Sequence, residues 1–291
     1  MGAESKDLVR KPAGTLYLVA TPIGNLEDIT LRGLRLLREC DLVAAEDTRH
    51  TAKLLRHFEI RTPTTSVHEH NEHAKAAGLV EKLQQGLSIA LVSDAGTPAV
   101  SDPGFRLVQA AVAAGIRVEA VPGPSAVLAA LVSSGLPTDA FVFVGFPPPK
   151  AKARATWLEA LRAETRTVVF FEAPHRIVDT LKDTLRIVGD RVVAVGRELT
   201  KLHEELVRGP ISIVLGHLTE LRGEFTIVMA GRSESDDDSA TTSIDDAVIY
   251  SDFCRLTESG LRRRDAVAAV ASKYRLRSRD AYAVIERVRN S

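Results

Sequence analysis

Alternation decides the architecture before any motif does. From Thr15 to Gly135, short β-rich runs take turns with amphipathic ones. TLYLVA (15–20), SIALVSD (88–94) and RVEAVP (117–122) read as strands, and DLVAAEDT (41–48) is strand-like. Between them ITLRGLRLLREC (29–40) sets Leu31, Leu34 and Leu37 three apart, as one face of a helix requires. TAKLLRHFEI (51–60), KAAGLVEKLQQG (75–86), FRLVQAAVAAG (105–115) and SAVLAALVSSG (125–135) also read as helices, three of them closed by glycine. Such alternation predicts an open, largely parallel α/β sheet.

The three prolines of FPPPK (146–150) can continue neither helix nor sheet and mark a linker. Beyond it TRTVVFFEAP (165–174) and DRVVAVGREL (190–199) read as strands around a helix, HRIVDTLKDTLRIVG. ISIVLGHL and GEFTIVMAG follow as closely spaced strands, which predicts antiparallel pairing and an α+β second domain. ATWLEALRAE sets Trp157, Leu158 and Leu161 at a core spacing.

A chain of 291 residues is too long for one typical core, so two or three units are expected. At 45% hydrophobic and 26% charged residues it is globular in composition, and no apolar run reaches membrane-spanning length. The opening MGAESKDLVRKP lacks the apolar stretch of a signal peptide. Cys40 and Cys254, expected buried and inert, are too few for a disulfide framework or a four-cysteine zinc site. The expected location is cytoplasmic. Net charge is zero, yet residues 232–246 hold six carboxylates against Arg232, and residues 255–291 hold ten Lys or Arg against four carboxylates. The expected division is a disordered 1–13, an α/β domain at 14–146, a second domain at 147–231, an acidic linker at 232–243 and a basic helical module at 244–291.

In parallel sheets ligands sit beyond the carboxyl ends of the strands. There the sequence places TPIGN (21–25), DAGTPAVSDPG (94–104) and PGPSA (122–126). One Pro/Gly loop is an ordinary turn; three at strand ends point to a ligand that the backbone approaches closely. GxGxxG, GxxxxGK[ST] and GxSxG are all absent, which removes support for a dinucleotide site and a P-loop and makes a hydrolase elbow unexpected.

TPIGNLEDIT (21–30), AAEDTRHT (44–51), SDAGTPAVSDPG (93–104), VPGPSA (121–126), FFEAPHR (170–176) and RELTKLHEE (197–205), in this order, resemble the signature blocks of the 16S ribosomal RNA cytidine-2′-O-methyltransferases, a family of the tetrapyrrole-methylase superfamily. The resemblance covers about residues 14–231 and extends to the tail. It implies a two-domain tetrapyrrole-methylase-like α/β fold, with a parallel-sheet N-domain, a mixed-sheet second domain and a small helical C-terminal module. It implies S-adenosylmethionine as methyl donor with no metal, a cytidine 2′-hydroxyl in the decoding region of 16S rRNA as acceptor, the small ribosomal subunit as partner, and a homodimer. By the same resemblance Pro22, Asp94, Ala95, Gly96, Thr97, Val100, Ser125 and Ala126 match donor loops, and Phe171, Leu199 and Glu224 fall where the superfamily closes over adenine. TPIGN departs from the glycine-rich loop of the tetrapyrrole enzymes, which argues against a corrin or porphyrin.

On the acceptor side, Glu46, Asp47 and Arg49 of EDTR either orient a ribose hydroxyl and a phosphate or cap a helix, and both can hold. Methyl transfer to a 2′-hydroxyl needs alignment and is aided by a base. Glu172, Glu198 and His175 are candidate bases, with Lys201 or Arg197 beside the developing oxyanion. The plainer reading of these residues, with Arg176, is ion pairing along a cleft. His68, His70 and His73 in HEHNEH do not have the i, i+4 spacing of a zinc helix, so no metal is expected. Arg262, Arg263, Arg264, Lys273, Arg275, Arg277 and Arg279 form a basic helical tail that either contacts RNA phosphates or solubilises a docking bundle. Lys150, Lys152, Arg154 and Arg162 add positive charge near the linker. A tetrapyrrole C-methyltransferase and a non-catalytic ribosome-assembly factor are the alternative functions.

Overall fold

A computed structural model describes residues 13–233, 246–274 and 278–289. The expectations for residues 1–12, for most of the acidic segment and for Arg275 and Arg277 lie outside them. The chain divides into two compact units, one ending at Gly231 and one beginning at Arg232.

The first unit holds two five-stranded sheets. In the first, β1 (Thr15–Val19), β2 (Leu42–Ala45), β3 (Thr64–Ser66), β4 (Ile89–Val92) and β5 (Arg117–Val121) lie in the order β3-β2-β4-β1-β5, with every pairing parallel. β2 and β4 are buried at every position, as parallel strands covered on both faces must be. One face packs beneath α1 (Leu31–Glu39) and α2 (Thr48–His57), through Leu36, Leu37, Leu54 and Leu55. The other packs beneath α3 (Glu72–Gln84) and α4 (Phe105–Ala113), through Leu79, Leu83, Leu107 and Ala111. Each fully buried aliphatic side chain contributes about 1.5–3 kcal/mol.

The helices begin where the sequence supplies caps. Thr30 Oγ1 accepts from Gly33 N at 3.0 Å ahead of α1, and Asp47 Oδ1 accepts from Arg49 N at 2.8 Å ahead of α2. Ser125 Oγ accepts from Leu128 N at 3.4 Å ahead of α5 (Ala126–Ser134). The capping role open for Asp47 is therefore filled, and Ser125 does the same.

The second sheet contains β6 (Phe141–Phe143), β7 (Thr167–Glu172), β8 (Val192–Arg197), β9 (Glu205–Pro210) and β10 (Phe225–Met229) in the order β6-β7-β10-β8-β9. Only β6 and β7 pair in parallel, so the sheet is mixed. The change of sheet comes between α5 and β6, ahead of the triple proline, which instead precedes α6 (Ala151–Leu161). With α7 (Ile177–Ile187), α6 covers one face, where Trp157 meets Phe170 edge-on at 5.6 Å.

One expected strand is a helix. ISIVLGHL folds as α8 (Ile211–His217). Its β-branched run hides a helical period: Ile211 and Val214 are fully buried, with Leu215 and Leu218 packed beside them. Asp190 caps it from a distance, accepting from Ser212 N at 2.9 Å and Ser212 Oγ at 2.6 Å. The strand pairing with β8 is instead β9, whose sequence ELVRGP carries no apolar run.

Ile23, Val127, Ala130 and Leu131 from the first half form one apolar cluster with Val169, Ala194, Leu199 and Val228 from the second. Helix α5 thereby packs on the second sheet and joins the halves into one unit. In the second unit α9 (Asp246–Glu258), α10 (Arg263–Lys273) and α11 (Ser278–Arg289) bury Ile249, Phe253, Val270 and Ile285. Among the described residues no helix is long and apolar enough to cross a membrane.

Candidate active site

Because β1 lies between β4 and β5, the loops following these three strands are neighbours. Backbone bonds fasten them: Thr21 and Gly96 exchange N–H···O bonds of 2.9 Å each, and Thr97 Oγ1 donates to Pro124 O at 3.4 Å. Gly96 makes the turn at φ 79°, in the left-handed region that favours glycine. Glu46, at the end of β2, and Asp94 brace each other. Asp47 N donates to Asp94 Oδ1 at 3.1 Å, and Asp94 N donates to Glu46 Oε2 at 3.3 Å.

These loops form one wall of a cleft of about 380 Å³, within the usual range for a small-molecule site. Of the sequence-expected residues, Glu46, Asp94, Ala95, Gly96, Thr97, Val100, Ser125, Ala126, Phe171, Glu172 and Glu224 line it. The opposite wall comes from the end of β7 and the start of β10. Phe171 carries an aromatic cluster there, with ring centres 5.0 Å from Phe143 and 5.3 Å from Phe146.

Two expected donor contacts lie elsewhere. Pro22 lines a smaller adjoining cavity of about 210 Å³ with His50 and Lys53, sharing Asp94 with the main cleft. Leu199 is buried in the apolar cluster that joins the halves. The TPIGN loop reaches the same region: a Cβ on Gly24 would stand 2.4 Å from Lys201 Cγ and 3.0 Å from Leu199 O, so only glycine allows the approach.

The candidate bases divide sharply. The Glu172 side chain is fully buried. It accepts from Ala173 N at 2.7 Å and Thr180 Oγ1 at 2.5 Å and pairs with Arg176 at 2.6 Å. That carboxylate fastens the turn into α7. Glu198 accepts from Lys201 Nζ at 2.8 Å and from Glu224 N at 3.1 Å. Burial opposes its charge, but these donors hold its carboxyl below the usual range, which makes it a poor proton acceptor. Lys201 also reaches Glu224 Oε2 at 3.2 Å, so its ammonium stands at the edge of the cleft. Burial works against that charge, and the two glutamates outweigh it, raising the pKa. His175 is exposed and does not line the cleft.

Arg176 and Arg197 are committed to Glu172 and to Glu205, the latter at 3.1 Å. Arg49 is almost wholly exposed and pairs with Asp47 at 2.9 Å. Arg154 is buried against Asp183 at 2.7 Å, so its charge is committed within the fold. In HEHNEH, His68 pairs with Asn71, while Glu72, the first residue of α3, is buried with its carboxylate against the start of α4. In the tail Arg263 pairs with Glu286 and Lys273 with Asp252, whereas Arg262, 3.6 Å from Asp265, and Arg264 are exposed.

Asp102 is the residue that motif reading passes over, although it stands inside SDPG. It lines the cleft beside Glu46, Asp94 and Glu224. Burial, then Glu46, push its carboxyl up to about 6. Burial likewise raises the Glu46 carboxyl. Phe146 is the other omission; it follows a strand too short to announce itself.

The profile of the family described as Tetrapyrrole (Corrin/Porphyrin) Methylases matches residues 15–214. The chain is 47% identical over 272 residues to the Synechocystis protein named Ribosomal RNA small subunit methyltransferase I, covering 92% of this chain and 96% of that one. The Pseudomonas aeruginosa protein of the same name is 49% identical over 224 residues, covering 75% and 79% of the two chains. Among solved structures, uroporphyrin-III-C-methyltransferase from Thermus thermophilus superposes with a TM-score of 0.55 at 23% identity, covering 75% of this chain and 94% of that one. Another structure of that protein is complexed with S-adenyl homocysteine. Diphthine synthase superposes with a TM-score of 0.59 at 15% identity, covering 75% and 90%. With near-half identity across most of its length, on a fold shared with these enzymes, the chain belongs to the ribosomal RNA small subunit methyltransferase I family of the tetrapyrrole methylases.

Proposed function

We propose that the protein transfers a methyl group from S-adenosylmethionine to the ribose 2′-hydroxyl of a cytidine in the decoding region of 16S rRNA, acting in the cytoplasm as a homodimer. The observation that carries the reading is the composition of the cleft. Backbone loops and an aromatic wall suit an adenosine, and of the five lining carboxylates the four other than Glu172, which Arg176 neutralises, suit a cation bearing an ammonium and a sulfonium. When bound, the donor supplies an electrophilic methyl group on sulfur. The chain's own contribution is alignment and exclusion of water, which can lower the barrier by about 7–11 kcal/mol. Gly96 lets the backbone approach closely, Phe171 and Phe146 offer apolar surface, and Lys201 stands near the rim to steady developing negative charge. Exposed Arg49, Arg262 and Arg264 are among the cations that phosphates could reach, the first two by exchange from the exposed pairs with Asp47 and Asp265.

Calorimetry with S-adenosylmethionine tests the donor site, and labelled-methyl transfer to undermethylated small subunits tests the acceptor. Label recovered in a 2′-O-methylcytidine supports the reading. Label on a macrocycle and none on RNA favours a tetrapyrrole methylase, and no donor binding removes both.

A further inference from the structure

We propose that the smaller cavity beside the donor cleft seats a backbone phosphate of the acceptor strand, held by Lys53 of α2 with His50 beside it. The inference rests on the reading above, in which the acceptor is RNA.

The sheet order creates this cavity. β4 lies between β2 and β1, so α2, which follows β2, faces the stretch that follows β1 across the carboxyl end of β4. Pro22 and Leu26 line it from the β1 side, His50, Lys53 and Leu54 from α2, and Ser93 and Asp94 from the end of β4. Asp94 also lines the donor cleft, so an occupant of the cavity stands next to the donor. At about 210 Å³ the space is smaller than the roughly 300–1,000 Å³ of a small-molecule site, which suits one unit of a strand rather than a second cofactor.

Its free hydrogen-bonding groups are donors. The hydroxyls serve the fold, since Thr21 Oγ1 donates to Ser93 O and Ser93 Oγ to Ala95 O, each at 3.2 Å. Asp94 Oδ1 accepts from Asp47 N at 3.1 Å. Around the main cleft Arg176, Arg197 and Lys201 are engaged by Glu172, Glu205 and Glu198. The exposed ammonium of Lys53 has no partner among the described residues. His50 stands three residues before it, on the same face of α2. Burial raises the Glu46 carboxyl, and His50 is near enough to oppose that rise, so the imidazole lies toward the donor cleft.

A cavity that offers an ammonium and an imidazole takes an anion rich in acceptor oxygens, and a phosphodiester is one. Asp94, the single carboxylate of the lining, repels such a group towards α2 and so keeps it off the donor. Phosphate contacts fix the register of a strand without reading its bases. A phosphate held at Lys53 thus sets how the neighbouring sugar lies against the donor, which is the alignment that the transfer requires.

The test compares wild type, Lys53→Ala, Lys53→Arg and the double variant His50→Ala/Lys53→Ala, with Lys82→Ala, exposed near the far end of α3, as control. Donor affinity is read by titration calorimetry, and kcat/KM on undermethylated small subunits is read at several salt concentrations. Lys53→Ala is expected to bind donor within about twofold, to lose about tenfold in kcat/KM and to lower the slope of log(kcat/KM) against log salt by about one. Lys53→Arg is expected to recover most of the loss, the double variant to fall further, and Lys82→Ala to match wild type. Lys53→Ala with wild-type kcat/KM or an unchanged salt slope overturns the proposal and leaves the function standing. Donor affinity that falls as far as kcat/KM assigns the cavity to the donor and also overturns it. So does inorganic phosphate, at constant ionic strength, that binds wild type and not Lys53→Ala in calorimetry while kcat/KM on subunits is the same for both; the cavity then holds free phosphate. A double variant no worse than Lys53→Ala removes His50 from the site. Wild type that binds donor and methylates no subunit overturns the function itself and the proposal with it.

Discussion

Single side chains in this cleft do two jobs, and the energetic account separates them. Asp102 is disfavoured as an anion: burial and Glu46 raise its carboxyl from the ordinary 3.8 to about 6. Between those values the folded protein holds a proton that the unfolded chain releases. Stability from this group is therefore full below about pH 4 and falls as pH rises through 6, by up to about 3 kcal/mol. Asp102→Asn removes that loss, so it is expected to melt several degrees above wild type at pH 8 and close to it at pH 4, by calorimetric scans at both pH values. Gly96 works through its backbone. At φ 79°, with Ile23 Cγ2 3.5 Å from a Cβ position, Gly96→Val strains the turn and crowds the wall. Donor affinity is expected to fall at least tenfold by titration calorimetry; unchanged affinity would place the donor elsewhere.

At the scale of elements, helix ends do the positioning. Glu72→Ala leaves three N–H groups at the start of α4 without their shared acceptor, at a cost on the order of 3 kcal/mol. Because that helix end also fixes the cleft loop that carries Asp102, donor affinity is expected to fall along with stability, and Glu72→Gln, which keeps an acceptor oxygen, is expected to recover part of both, read by titration calorimetry and thermal unfolding. A lowered melting temperature with unchanged donor affinity would leave Glu72 a cap only. This bond also shows what the sequence could reveal. β1, β4 and β5 announce themselves as apolar runs ended by Pro/Gly loops, so the parallel sheet and most of the donor wall were legible in TPIGN, SDAGTP and PGPSA. Contacts between distant segments were not. Nothing near Glu72 in HEHNEH names Gly104, and nothing in FFEAPHR says that Arg176 and Thr180 fully engage Glu172. Helix α8 was misread because β-branched residues favour strands locally, while its fate is set by the apolar face it buries and by Asp190. Strand β9 was missed because Glu205 and Arg208 interrupt it and pairing with β8 alone defines it.

Over the whole molecule, every residue lining the cleft lies before Gly231, while the tail after Arg232 has its own apolar core. The two units can therefore be separated in function. Removal of residues 232–291 is expected to leave donor affinity within about twofold, because no lining residue is lost. Methylation of subunits is a different matter, since an RNA acceptor is held largely through phosphates and each neutralised phosphate adds to the salt dependence of binding. Within the tail, Arg263 and Lys273 are tied to Glu286 and Asp252, while Arg262, 92% exposed in its side chain, pairs only with exposed Asp265 at 3.6 Å, and Arg264 is an exposed cation on the surface. Replacing both by alanine is expected to lower kcat/KM on subunits about tenfold at ordinary salt and to reduce the slope of log(kcat/KM) against log salt by about one to two. The helices would stay folded, since neither side chain belongs to the apolar core. If the slope is unchanged while the full truncation still abolishes methylation, the tail acts by a surface other than these arginines; if the truncation itself methylates subunits normally, RNA is held by the first unit alone.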